Sequence, residues 1–150
     1  MPAQGTSSLL EPYRVLDLTE GGHMIAGKTL GDLGADVIKI EPPAGSPSRS
    51  IGPFCGNTPD PEKSLFWLAY NANKRSVTLD IETPVGRDTL LEVVKTADFV
   101  LESFDPGYLE SLGLGYKALS EINPRIIVAS ITPFGQTGPF ARYKASDLTT

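Results

Sequence analysis

Two short strand-like runs, Arg14–Leu18 (RVLDL) and Asp36–Glu41 (DVIKIE), are separated by residues 19–35. Between them Ala26, Leu30 and Leu33 recur at i, i+4 and i+7, which predicts a helix from about Met24 to Leu33 with one apolar face. Gly34 follows where a left-handed residue ends a helix. A hairpin needs only a few residues to reverse, whereas a helical crossover returns the chain parallel to itself. This one unit therefore commits the chain to a parallel pair, whose strands are ordinarily covered on both faces.

The alternation continues. A short helix is expected over Leu65–Asn71 and a strand through Val77, Leu79 and Ile81. Thr83-Pro84 supplies an N-cap and a first-turn proline ahead of the stripe Leu90, Leu91, Val94 and Ala97. Phe99–Phe104 reads as a strand and Tyr116–Asn123 as a helix. Arg125–Ile131 is a continuous apolar run, expected for a strand buried on both faces. The fold class is thus α/β, a Rossmann-like, doubly wound and mostly parallel sheet, incomplete within this chain. With 150 residues there is room for one domain. Residues 1–12 read as a loose leader and 13–150 as the domain. Residues 42–63 hold six prolines and three glycines, a long loop of the kind that is often functional.

Thirteen basic against eighteen acidic residues give a net charge of -5, which argues against nucleic acid or an anionic membrane as partner. A local basic pocket for one phosphorylated ligand stays open. The single cysteine, Cys55, excludes an internal disulfide and a cysteine-based zinc site. No bilayer-spanning run and no secretory signal are visible, so a cytoplasmic location is expected.

Four features invite a chemical reading. Gly22–Thr29 (GHMIAGKT) matches the phosphate-cradling loop of nucleotide hydrolases letter for letter, between a strand and a helix. Met24 and Ile25 are bulky for a loop whose backbone must wrap a phosphate, and they suit an ordinary helix start. Gly113–Ala118 (GLGYKA) matches a dinucleotide pattern but follows no strand directly, so it reads as a turn into a helix. His23, the only histidine, lies just past the first strand, either a solvated loop residue or a contact at the edge where open α/β sheets bind ligands. Asn73-Lys74-Arg75 is a compact basic cluster, either a solvated pair of charges or a phosphate grip.

In order along the chain, RVLDLT (14–19), LGDLGADVIKIEPPAG (30–45), NANKRSVTLDI (71–81), ADFVLESFDPGYLESLGLGY (97–116), NPRIIVASITPFGQTGPFA (123–141) and YKASDL (143–148) resemble the N-terminal part of family III CoA-transferases. That family includes formyl-CoA, carnitine and benzylsuccinate CoA-transferases and 2-methylacyl-CoA racemase. TEGGHMIAGK and PDPEKSLFW look most similar to benzylsuccinate-type members. The resemblance implies an acyl-CoA and a carboxylic acid as substrates, coenzyme A thioester chemistry with no covalently bound cofactor, and two interlocked chains, a homodimer or a heteromer of related subunits. It implies an aspartate nucleophile that forms an acyl anhydride and then an aspartyl-CoA thioester; that aspartate is expected beyond Thr150. CoA contacts carried over by position fall on Gly21, Gly22, His23, Asn73, Lys74, with Arg75 beside them, Ser103, Phe104, Asp105, and the segment from Lys144 to Asp147.

The chain also departs from the family pattern. Pro42 and Ser111 stand where basic residues are frequent, and an Ala-Gly-Pro first turn is absent, so Arg49 becomes a candidate for holding CoA's phosphates. Ser146 replaces the histidine that the racemase branch places before the aspartate matching Asp147, which favours transfer over racemisation, since a serine hydroxyl is a poor base. Two alternatives stay open: a P-loop nucleotide hydrolase, and a non-catalytic partner subunit of a two-subunit transferase.

Overall fold

The computed structural model describes residues 8–146. Five strands, β1 (Arg14–Leu18), β2 (Asp36–Glu41), β3 (Arg75–Thr78), β4 (Phe99–Glu102) and β5 (Ile127–Ser130), form one sheet in the order β3-β2-β1-β4-β5. Every pairing is parallel. The helices are α1 (Ile25–Asp32), α2 (Leu65–Asn71), α3 (Pro84–Val94), α4 (Tyr108–Ser111) and α5 (Tyr116–Ile122). Side chains alternate across the sheet, so Val15, Val37 and Leu101 pack with Ala26 and Leu30 of α1 on one face. Leu16, Leu18, Ile40 and Val100 pack with Leu90, Val94, Leu109 and Leu119 on the other. Helices on both faces make the sheet doubly wound, as expected. Among the described residues no helix is long and apolar enough to cross a membrane.

Local chemistry explains where the elements start and stop. Gly34 adopts φ +103° immediately after α1, the left-handed stop anticipated from sequence. The Thr83 hydroxyl accepts a hydrogen bond from Gly86 N–H at 3.1 Å, and Ser64 caps α2 through Trp67 N–H at 3.0 Å.

Three expectations need correction. The third strand is Arg75–Thr78, two residues earlier than its alternation implied, because the chain leaves the sheet after Leu79 to bury Ile81 under α3. β5 is an edge strand with Ile127 half exposed, so its apolar run is not buried on both faces among the described residues. Of the leader expected to be loose, residues 8–12 are tied down: Leu10 N–H bonds Leu33 O at 3.0 Å, and its side chain packs beside α1. Residues 1–7 lie outside the described part.

Candidate functional site

The crossover from β1 runs through α1 to β2 on one side, while β4 lies on the other side of β1. The loops after β1 and β4 therefore diverge, and their gap at the carboxyl edge is the switch point where open α/β sheets take ligands. Gly21, Gly22 and His23 form a tight 3-10 turn there, and Ser103-Phe104-Asp105 leave β4 beside it. The two loops are joined directly, with Glu20 N–H donating to Ser103 Oγ at 2.9 Å. Gly21 has φ +59°, and a Cβ added at Gly21 or Gly22 would meet nothing within 4 Å. The turn thus offers bare backbone to an approaching ligand. His23 is exposed on it.

Next to this turn opens a cavity of about 460 Å³. Its apolar surfaces are Leu18, Ile40, Leu79, Ile81, Phe104 and Tyr108, and its outer wall is the loop segment Pro42, Pro43, Ala44 and Pro47. Phe104 and Tyr108 stack with ring centroids 4.7 Å apart. The charged lining is acidic: Glu20, Glu41, Asp80 and Glu82. Tyr108 Oη donates to Glu82 at 2.8 Å, and the nearby carboxylate raises the phenol's pKa above its ordinary value. Such a cavity suits a flat, uncharged group better than a phosphate.

The basic residues expected to grip phosphate are already engaged. The Lys74 side chain is 1% exposed, with Nζ donating to Asp17 Oδ2 at 2.7 Å and to Met24 O at 2.9 Å. Burial pulls its pKa down, while the charge and hydrogen bond of Asp17 oppose that shift. Asn73 Nδ2 bonds Lys28 O at 2.9 Å and Asp32 Oδ1 at 2.6 Å, holding α1 from outside. Arg75 forks onto Asp36, the first residue of β2, at the opposite edge of the sheet from the cavity. The two cations therefore point to different places: the Lys74 side chain is buried under α1 and that of Arg75 faces away. Arg49 is likewise committed, through Nε and Nη2 to Glu41 at 2.7 and 2.9 Å, so it is not a free phosphate ligand. Lys144 is exposed near the end of the described part, and Asp147 lies outside the described residues.

One glycine of the nucleotide-hydrolase look-alike, Gly27, has a packing role. It sits inside α1, where a Cβ would come within 2.2 Å of Asp17 Oδ2. It lets the helix settle onto the Asp17–Lys74 pair. Lys28 pairs with Asp32 one turn away on α1 instead of facing a phosphate cradle. The Gly113–Ala118 pattern leads from α4 into α5, as a turn into a helix.

Several buried charges escaped the sequence reading. Lys39 is fully buried, bonding Thr19 O and, at 3.2 Å, Glu20 Oε1. Burial alone would raise the Glu41 pKa, but hydrogen bonds from Arg49, Ser76 and Ser46 N–H hold it down at about 2. Glu102 is buried at the end of β4, accepting from Phe104 N–H at 2.8 Å and Gln136 Nε2 at 3.1 Å. A signal existed: charges inside strands that are covered on both faces must find partners.

A family profile described as CoA-transferase family III matches residues 10–150. The subunit BbsE of succinyl-CoA:(R)-benzylsuccinate CoA-transferase from Thauera aromatica is 46% identical over 137 residues, covering 91% of this chain and 33% of that protein. Human succinyl-CoA:glutarate CoA-transferase is 41% identical, covering 92% of this chain and 31% of its own length. A CAIB/BAIF family protein from Brucella suis, of solved structure, superposes with a TM-score of 0.85 at 38% identity, covering 96% of this chain and 38% of that one. The chain spans about a third of the length of the curated relatives it matches.

Proposed function

The chain belongs to CoA-transferase family III, and from that premise we propose that it supplies the CoA-binding part of an enzyme moving CoA between an acyl-CoA and a carboxylic acid. The observation that carries this reading is the coincidence of the switch point, the open glycine turn and the apolar cavity at one edge. The adenine end of CoA lies in the cavity beside Phe104 and Tyr108. The more polar middle passes over Gly21, Gly22 and His23, near Ser103 and Asp105. Lys74, Asn73 and Arg75 serve indirectly, by fixing α1 and the strand ends.

In the transfer itself an aspartate beyond Thr150 attacks the thioester carbonyl, and CoA leaves as thiolate, giving an acyl-aspartyl anhydride. The thiolate then adds to the aspartyl carbonyl, the first acid leaves as its carboxylate, and an aspartyl-CoA thioester remains. The acceptor carboxylate repeats these two steps in reverse, regenerating the aspartate. Relatives named for succinyl-CoA and for glutarate, benzylsuccinate or oxalate suggest dicarboxylates as donor and acceptor. The working protein is cytoplasmic and dimeric. A second reading, a partner subunit without its own nucleophile, is favoured by the relative whose name marks it as one subunit.

The test is calorimetric titration of coenzyme A, together with CoA exchange between succinyl-CoA and dicarboxylic acids in the full-length protein. Saturable binding that Leu79→Arg weakens, with acceptor-dependent exchange, is expected. Binding without exchange would move the assignment to the partner-subunit reading. α-Deuterium incorporation from heavy water into a 2-methylacyl-CoA without an acceptor would overturn transfer in favour of racemisation, which Ser146 in place of an imidazole base argues against.

A further inference from the structure

The outer wall of the cavity is made by the least regular part of the molecule. Pro42, Pro43, Ala44 and Pro47 belong to a loop that runs to Lys63 with only two short 3-10 turns. Prolines limit the conformations of such a segment but donate no backbone hydrogen bonds, so something else must hold it against the sheet. Arg49 is placed to do this. Its fork is bidentate on Glu41, the last residue of β2, and its third nitrogen, Nη1, reaches Glu62 at 2.9 Å near the far end of the loop. Its guanidinium lies 4.1 Å over the ring centroid of Trp67 in α2. One side chain thus joins the sheet, both ends of the loop and a helix.

Glu41 completes the arrangement. Besides Arg49 it accepts from Ser46 N–H at 3.0 Å and from the Ser76 hydroxyl of β3. Ser48 Oγ donates to Glu20 at 2.9 Å and accepts from Gly21 N–H at 3.1 Å, linking the same loop to the glycine turn. We infer that Arg49 is a positioning residue: acting through Glu41 and Trp67, it pre-forms the proline wall and so sets the affinity of the cavity for the adenine end of CoA. This rests on the assignment of the cavity to CoA. The physical gain is that the loop is ordered before ligand arrives, so binding does not bear that entropy cost. Lysine cannot replace it, since an ammonium has neither the planar fork nor the stacking face.

The test uses the full-length protein, labelled with 5-fluorotryptophan, with the Trp67 resonance assigned through Trp67→Phe. Arg49→Lys retains the charge and is expected to fold. It should shift the Trp67 fluorine resonance and raise KM for the CoA thioester by about tenfold with kcat nearly unchanged, the pattern of lost uniform binding. Arg49→Ala should behave likewise and recover part of its affinity on addition of ethylguanidinium, which a general loss of stability would not allow. Leu79→Arg, which fills the cavity, separates the two ideas. If it raises KM while both Arg49 variants move the resonance but leave KM within twofold, the positioning role is overturned and the cavity assignment stands. If Leu79→Arg leaves KM unchanged, the cavity assignment fails and the role of Arg49 falls with it.

Discussion

On the β2–β3 side of the sheet, the side chains of Asp17, Lys39, Glu41 and Lys74 are buried and held by charge-assisted hydrogen bonds. On the α3–α5 side, Leu90, Val94, Leu109 and Leu119, all apolar, close over Leu16 and Val100, and Glu102 beyond them accepts from the neutral donors Phe104 N–H and Gln136 Nε2. Both halves are well packed, yet they rely on different physics. An apolar cluster is non-directional and can partly relax around a lost side chain. A buried pair is directional, and losing one member strands the other in a medium that cannot solvate it. Loops that define a ligand site need fixed geometry, and here the charged half holds the cavity wall while the apolar half anchors the scaffold.

The contrast is broken most severely at Lys74. Lys74→Met should destabilise by about 3–5 kcal/mol in urea unfolding, because Asp17 is left buried without its cation. Adding Asp17→Asn should restore most of that loss; if it does not, the pair is not the unit of stability. Leu119→Ala in the other half should cost about 3 kcal/mol. No single partner substitution should restore it, since many neighbours share the contact. Gly27→Ala tests the seam between helix and ion pair. Its added Cβ would overlap Asp17 Oδ2, and a loss of about 1–3 kcal/mol is expected, shrinking when Asp17 is also shortened to Ala.

Acid sharpens the comparison further. The Glu41 pKa is depressed from 4.5 to about 2, so its contribution to stability is fully present above the unfolded value and declines as pH falls from there through about 2. The Trp67 signal, which reports Arg49 on its ring, should therefore hold at pH 5 and change only in strong acid. A transition near pH 4–5 would show that Arg49 does not hold Glu41 in its charged form. The smallest effect belongs to Arg75, whose pair with Asp36 is largely exposed. Arg75→Ala should change stability by at most about 1 kcal/mol and leave CoA affinity and its salt dependence unaltered. A clear drop in affinity would return Arg75 to the phosphate grip.

Much of the scaffold was legible because its signals are local. Thr83-Pro84 opens α3 where anticipated and Gly34 closes α1 where anticipated, each decided by the nearest few residues. The site was half legible. The glycine turn and Ser103-Phe104 lie together at the switch point because strand order places the ends of β1 and β4 side by side. The proline loop that walls the cavity stood out in sequence, but the floor was missed: Leu79, Ile81 and Tyr108 are ordinary apolar residues in sequence, and only the packing of four separate chain segments makes them part of one surface. Lys74 and Arg75 could not be told apart for the opposite reason. Adjacent basic residues look alike on paper, but one side chain runs under α1 and its neighbour reaches the far edge of the sheet.

By itself the sequence determined the alternation of strand and helix, the parallel sense of the sheet and the family resemblance, because periodicity, caps and crossover lengths act over a few residues to a few tens. Tertiary structure alone decided which charges are available to a ligand. Lys74 meets Asp17 across 57 positions and Arg75 meets Asp36 across 39, partners that no local pattern couples. The physical reason is that a charge buried between sheet and helix must be neutralised by whatever the fold brings beside it, and that neighbour exists only once the chain has closed.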